Sequence, residues 1–210
     1  MKWNWQQPDW PDFRWNSEAL AVHEARFLKQ SGIMIGVVKH LGDEDRTSVV
    51  LDVMTDEAMK TSQIEGELLN RDSVQSSLRR EFGLETEARR IPPAERGIAE
   101  MMMALYRDFA APLTEEILGD WHRLVLSGRS DIDVVGRYRE HEDAMQVVSG
   151  ALHKPTVHFE APPADRLETE TSRVRNGRNG ASNELPLLKA GLGHLWFGTL
   201  HPFEDGNVSI

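Results

Sequence analysis

The chain has 210 residues, of which 40% are hydrophobic and 28% charged, and its formal net charge at pH 7 is -10. That charge argues against a nucleic-acid partner, because general phosphate-backbone binding needs a basic protein face. No stretch approaches the roughly 18 to 20 apolar residues of a membrane span, no signal peptide is recognisable, and cysteine is absent. The sequence therefore predicts a soluble, cytoplasmic protein with no membrane partner.

The first half of the chain predicts an aromatic strap followed by helices. Tryptophans and prolines crowd the first fifteen residues, which favours an extended arm packed on the body over a helix. Helices are then predicted over residues 17–41, 45–64 and 73–80 from apolar residues at helical spacing. Gly42 and Gly83 provide stop signals after the first and the third of these helices.

The clearest helical pattern follows the segment "IPPAERG". Ile98, Met101, Met102, Leu105 and Phe109 recur at i, i+3, i+4 and i+7 spacing, which predicts a helix with one face in a core. Methionine at such positions is much more often core-filling than a metal or cofactor ligand.

The second half of the chain predicts a hairpin between further helices. A helix is expected from Thr114, its N-cap, to Leu126. Helical periodicity then lapses, and "AMQVVSG" and "TVHFEAPP" flank the turn-prone "GALHKP", which predicts a β-hairpin. Helices are predicted again over 164–175 and 187–200, so the fold class is mainly α with a small β-hairpin.

The last helix runs into "HPFEDGN", residues 201–207. A residue before proline is biased away from helical geometry, so His201 is predicted at the mouth of a loop. Asp205 offers a carboxylate suited to Mg²⁺, and Gly206 allows backbone amides to turn toward an anion. A base, a metal carboxylate and anion-binding amides together indicate phosphoryl or nucleotidyl transfer. The spacing alone is equally compatible with a helix stop followed by an Asp-Gly turn.

These residues resemble a known family. "HPFEDGN" looks like the signature loop of the Fic (filamentation induced by cAMP) domain, and "GRYREHEDAMQVVSG" and "HFEAPPADRL" are similar to that family's flap hairpin. The first eighty residues, including "WQQPDW" and "KTSQIEGE", resemble a helical module found ahead of Fic domains. The resemblance implies a Fic-type helical bundle with a β-hairpin flap. It also implies an N-terminal module over 1–90 and a Fic domain over 91–210 that is incomplete at its C-terminus.

In function, the resemblance implies adenylylation, the transfer of AMP from ATP to a Ser, Thr or Tyr hydroxyl of a target protein. His201 would be the general base and Asp205 the Mg²⁺ ligand, while Gly206 and Asn207 would begin the nucleotide phosphate cradle. Phe203 is expected to pack the loop into the core.

The resemblance also assigns the target-docking flap and an inhibitory motif. Val147, Val148, Ser149 and Gly150 would form the strand that docks the target segment. "TSQIEG" matches the inhibitory pattern of Ser or Thr, three residues, Glu, then Gly or Asn.

In that pattern Thr61, Glu65 and Gly66 take the defining places. By itself the pattern is also that of an ordinary helix C-cap. In the family the glutamate pairs with the last arginine of the signature loop and occupies the space of the ATP γ-phosphate, which implies autoinhibition by Glu65.

The end of the chain departs from the family pattern. Val208 and Ser209 stand where the family has Gly and Arg, and the chain ends at Ile210, before the second arginine. Three interpretations stay open: an adenylyltransferase, a catalytically inactive protein-binding module, and a fragment of a longer active enzyme. A homo-oligomer is compatible with each.

Overall fold

The structure is a computed structural model that describes residues 2–86, 90–151, 154–180 and 184–207. These residues form seven α-helices and one two-stranded antiparallel sheet, so the predicted fold class is confirmed. The elements are α1 (Ser17–Lys39), α2 (Asp43–Ile64), α3 (Arg71–Glu81), α4 (Pro93–Asp108), α5 (Glu115–Val125), β1 (Gln146–Ala151), β2 (Lys154–Glu160), α6 (Leu167–Asn179) and α7 (Pro186–Leu200). None of these helices is both long and apolar enough to cross a bilayer.

The chain divides into two compact units. The helical unit comprises Ile33–Arg137, and the hairpin unit comprises the residues up to Gly32 together with Tyr138–Asn207. These units are defined by contacts within the fold and cut across the predicted domains 1–90 and 91–210, whose boundary stays a prediction.

The helical unit is built around α4. Helix α3 packs on α2 and α4, and α4 packs on α5. The predicted stripe of α4 is buried at Ile98, Met101 and Met102, but Leu105 and Phe109 are 43% and 68% exposed. The prediction for those two residues is wrong, because the buried residues of α4 end at Met103.

Turn chemistry places the helix ends of this unit close to where the sequence predicted them. Thr114 caps α5, since its Oγ1 accepts a hydrogen bond from the Ile117 amide at 3.2 Å. Gly83 has a φ of +71°, a left-handed conformation that favours glycine, and its amide bonds the Arg80 carbonyl at 2.9 Å beyond α3.

In the hairpin unit, β1 pairs with β2 from Gln146 opposite Glu160 to Ala151 opposite Lys154, with an irregularity between Val147 and Val148. The predicted hairpin is therefore present, while the tip of its turn, residues 152–153, lies outside the described residues. Helices α6 and α7 pack on each other beside it.

The N-terminal segment is the predicted strap, with one 3-10 turn at Asn4–Gln6. The Trp10 and Phe13 rings meet Trp196 of α7 edge-on, at centroid distances of 6.2 and 5.7 Å. Trp5 Nε1 donates to the Glu160 carbonyl, at the end of β2, at 2.7 Å. The strap thus joins β2 and α7, which are distant from it in sequence.

Candidate active site

His201 ends helix α7. Its amide still bonds the Phe197 carbonyl at 3.2 Å, but its own φ and ψ are 42° and 61°, in the left-handed region. A non-glycine residue occupies that region only where its surroundings hold it there. His201 thus leaves the helical conformation, as predicted, and Pro202 carries the chain into the loop.

The His201 ring is held by one hydrogen bond. Its Nδ1 lies within hydrogen-bond distance of the Gly198 carbonyl oxygen, one turn back on α7. Because a carbonyl oxygen only accepts, Nδ1 carries the hydrogen and the neutral ring keeps Nε2 as its unprotonated nitrogen. The Phe159 ring of β2 lies 6.5 Å from the His201 ring, centroid to centroid. The geometry therefore leaves Nε2 as the nitrogen that can accept a proton.

The loop after His201 folds around Phe203. This side chain is fully buried, with ring centroids 5.5 Å from Tyr138 and 6.3 Å from Phe197, so the prediction that it packs into the core is confirmed. Asn207 closes the loop, because its Oδ1 accepts from the Phe203 amide and its Nδ2 donates to the Phe203 carbonyl, both at 2.9 Å. The buried side-chain amide of Asn207 is therefore occupied inside the loop, which leaves its backbone for the predicted phosphate cradle.

Asp205 and Gly206 form the turn of the loop. Gly206 has a φ of +69°, which suits glycine, and its amide donates to Asp205 Oδ1 at 2.9 Å. No group of three or more His, Cys, Asp or Glu side chains able to hold a metal occurs in the described part of the chain. A single carboxylate nevertheless fits Mg²⁺, which proteins commonly hold through one or two carboxylates together with substrate phosphates.

Arg139, which sequence reasoning did not single out, lies directly behind this loop. It is 1% exposed, and its Nε and Nη2 donate to the carbonyls of His201 and Leu200 at 2.8 and 3.2 Å. Nη2 also donates to the Pro162 carbonyl oxygen at 2.6 Å. Burial lowers the pKa of this guanidinium. No spacing rule predicts the contact, because Arg139 and His201 lie 62 positions apart.

The predicted flap residues are in the same unit as the loop. Val147 and Val148 are 44% and 50% exposed, and Ser149 and Gly150 are exposed as well. Ser149 Oγ lies 2.6 Å from His158 Nε2 across the hairpin. As β1 and β2 form a two-stranded sheet, β1 has one edge without a partner strand in the described residues.

The predicted inhibitory motif belongs to the helical unit. Thr61 lies within α2, where its Oγ1 donates to the Glu57 carbonyl at 2.9 Å. Glu65 is the C-cap of α2, and Gly66 follows with a φ of +82°. The Gly66 and Glu67 amides bond back into the last turn at 3.1 and 2.8 Å, as in a Schellman motif. The Glu-Gly pair is thus accounted for as a helix cap, and its inhibitory role stays a prediction.

The structure brings His201, Asp205, Gly206 and Asn207 together on one loop, with the flap in the same unit. Thr61, Glu65 and Gly66 lie in the other unit. Val208 and Ser209, where the sequence departs from the family pattern, lie outside the described residues, as does Ile210.

Two family models match parts of this chain. A family model described as "Fic/DOC family" matches residues 112–210. Residues 112–210 belong to the Fic/DOC family. Ahead of this Fic domain, a model described as "Domain of unknown function (DUF4172)" matches residues 3–84.

A solved structure shares the fold. A Fic family protein from Desulfovibrio desulfuricans G20 matches 95% of this chain with a TM-score of 0.60 and 24% sequence identity. The match spans 56% of that protein's chain. A comparison with curated proteins found no match.

Proposed function

We propose that this protein is an adenylyltransferase that moves AMP from ATP to a Ser, Thr or Tyr hydroxyl of a target protein. The observation that carries the proposal is the hydrogen bond between His201 Nδ1 and the Gly198 carbonyl, because in the neutral ring it leaves Nε2 as the proton acceptor at the mouth of the Fic loop. Membership of residues 112–210 in the Fic/DOC family supports the same reaction class.

In the proposed reaction the target hydroxyl oxygen attacks the α-phosphorus of ATP while His201 Nε2 takes the hydroxyl proton. The bond from the α-phosphorus to the bridging oxygen breaks, and pyrophosphate leaves. A positioned general base of this kind contributes roughly 10²–10⁴-fold to the rate. The buried Phe203 and the Asn207 bridge keep the loop that carries His201 in one conformation.

Mg²⁺ fits the proposal through the Asp205 carboxylate. When bound with ATP it would neutralise phosphate charge as pyrophosphate leaves. The backbone of Gly206 and Asn207 would contact the phosphates, and the amide of Gly206 would exchange Asp205 Oδ1 for a phosphate oxygen.

Glu65 is proposed to restrain this activity. It lies at the end of α2, within the pattern that the resemblance identifies as inhibitory. A carboxylate there would compete with the ATP γ-phosphate for the last arginine of the family's signature loop. In a chain that continues past Ile210 into the second arginine, Glu65→Gly is expected to raise the rate of AMP transfer several-fold, whereas the neighbouring exposed Gln63→Gly is expected to leave that rate unchanged. Equal rates for wild type and Glu65→Gly would reject the inhibitory role of Glu65.

The main test uses ATP labelled on either the α- or the γ-phosphate. Wild-type protein with Mg²⁺ is expected to transfer the α-label and not the γ-label to itself or to a protein substrate. His201→Ala is expected to lower that transfer at least about 100-fold. His194→Ala, an exposed histidine on the same helix, is the matched control. Transfer of the γ-label, or full transfer by His201→Ala, would overturn the proposal.

A second candidate function is a catalytically inactive binding module. It is favoured by the exposed Val147 and Val148 on β1, whose outer edge could pair with an extended peptide by strand addition. Calorimetric titration with Mg·ATP separates the candidates, since the transferase requires nucleotide binding. Peptide binding without ATP binding would favour the module.

A further inference from the structure

Arg139 is the largest fully buried side chain of the described residues. Its acceptors there are backbone carbonyls, those of His201, Leu200 and Pro162. Nη1 has no hydrogen-bond partner. A buried cation paired only with neutral dipoles is costly, and an apolar side chain of similar volume often stabilises such a place better. Stability of the fold is therefore a poor explanation for an arginine at this position.

The three carbonyls that accept from Arg139 suggest a better explanation for the arginine. Leu200 and His201 end α7, where carbonyls have no intrahelical donor and carry the negative end of the helix dipole. The guanidinium of Arg139 satisfies both carbonyls. Its own backbone amide also donates to the Pro202 carbonyl at 2.9 Å. One residue thus bonds three consecutive carbonyls, with His201 in the middle.

The same guanidinium reaches the base of the hairpin. Nη2 donates to the carbonyl of Pro162, two residues beyond the end of β2. That strand carries Phe159, whose ring packs near His201. Arg139 therefore links the end of the helix that presents His201 to the strand beside it.

We infer that Arg139 is a positioning residue that holds His201 in its left-handed backbone conformation, so that Nδ1 stays on the Gly198 carbonyl and Nε2 stays unprotonated. It acts through the carbonyls of residues 200–202. A purely structural role would change stability and leave the tautomer of His201 unchanged.

The first test is imidazole ¹⁵N NMR on the full chain, with the His201 signals identified from their absence in His201→Ala. Neutral His201 of the wild type is expected to carry its hydrogen on Nδ1. In Arg139→Met the neutral ring is expected to populate both tautomers. Arg139→Lys keeps the charge but lacks the planar fork of donors, so it is expected to show the same mixing if Arg139→Met does not fold. An unchanged Nδ1–H tautomer in either folded variant would overturn the inference.

The second test rests on the proposed function. Arg139→Lys is expected to lower kcat for AMP transfer about 10- to 100-fold, with KM for ATP changed less than about 3-fold, because the base is misplaced while nucleotide contacts persist. Arg173→Lys, a half-exposed arginine of α6, is the control and is expected to keep wild-type kcat. A raised KM with an unchanged kcat would contradict a positioning role. If wild type transfers no AMP, the proposed function fails and the NMR measurement still decides the role of Arg139.

Discussion

At the scale of single residues, the loop that carries His201 depends on the side-chain amide of Asn207. This amide makes two hydrogen bonds to the backbone of the fully buried Phe203, four positions earlier. Both backbone groups of Phe203 would be left without these partners if the amide were removed. Asparagine is the uncharged side chain that offers a donor and an acceptor at this length.

Asn207→Ala is accordingly expected to lower the free energy of unfolding by about 1–3 kcal/mol, the cost of buried polar groups left unpaired. Urea denaturation followed by circular dichroism measures it. Gln30→Ala, an exposed position on α1, is the control and is expected to change stability by less than about 0.5 kcal/mol. Equal midpoints for wild type and Asn207→Ala would show that the bridge contributes nothing.

At the scale of elements, helices α4 and α5 approach each other at Gly97. A Cβ atom placed there would overlap the Leu124 carbonyl oxygen and lie 2.6 Å from the Cβ and Oγ of Ser127. Backbone cannot give way as the end of a flexible side chain can. The close packing of these two helices therefore requires glycine.

Gly97→Ala is expected to cost about 1–3 kcal/mol of stability, the usual penalty of overpacking, despite the better helix propensity of alanine. Gly36→Ala is a matched control, since Gly36 also lies inside a helix and no atom comes within 4 Å of the added Cβ. This control is expected to raise stability by about 0.5–1 kcal/mol. Thermal unfolding of both variants measures the contrast, and a stabilising Gly97→Ala would contradict the packing described.

At the scale of the whole molecule, the strap at the start of the chain packs against helices α6 and α7. Trp10 stacks edge-on against Trp196, and its Nε1 donates to Glu170 Oε2 at 3.1 Å. Glu170 is buried, and its Oε1 also accepts hydrogen bonds from the nearby Arg166 and Arg173 at 3.0 and 3.4 Å. The N-terminal segment is therefore part of the core of the hairpin unit.

Trp10→Ala is expected to destabilise the hairpin unit by about 3 kcal/mol, the lower end of the range for tryptophan because the ring is half-buried. Hydrogen exchange is expected to quicken in α6 and α7. Trp10→Phe keeps an aromatic ring but removes the indole N–H donor. It is expected to lower the free energy of unfolding by about 1 kcal/mol. Trp15→Ala, at a side chain 41% exposed, is the control and is expected to lose less than Trp10→Ala. Unchanged exchange in α7 of Trp10→Ala would show that the strap does not support that helix.

Local chemistry explains what could be predicted from the sequence. Interactions between residues a few positions apart explain the helices, the Thr114 cap, the glycine turns and the hairpin. The His-Pro pair and the Asp-Gly turn likewise predicted the loop after α7. The burial of α4 was predicted only in part, because periodicity indicates a face without indicating how far its neighbours extend along it.

The sequence by itself determined the helices and the hairpin, the loop that carries His201 and the family resemblance, because each depends on residues close together in the chain. Only the tertiary structure decided which nitrogen of His201 is unprotonated, that Asn207 turns its amide inward, and that Arg139 lies behind the loop. Gly198 and Phe203 lie only three and four positions from His201 and Asn207, but the packing around the loop decides that the side chains bond there. Arg139 meets His201 across 62 positions, and this contact forms only after folding. The physical reason is that a buried donor must find an acceptor wherever the packed chain offers one.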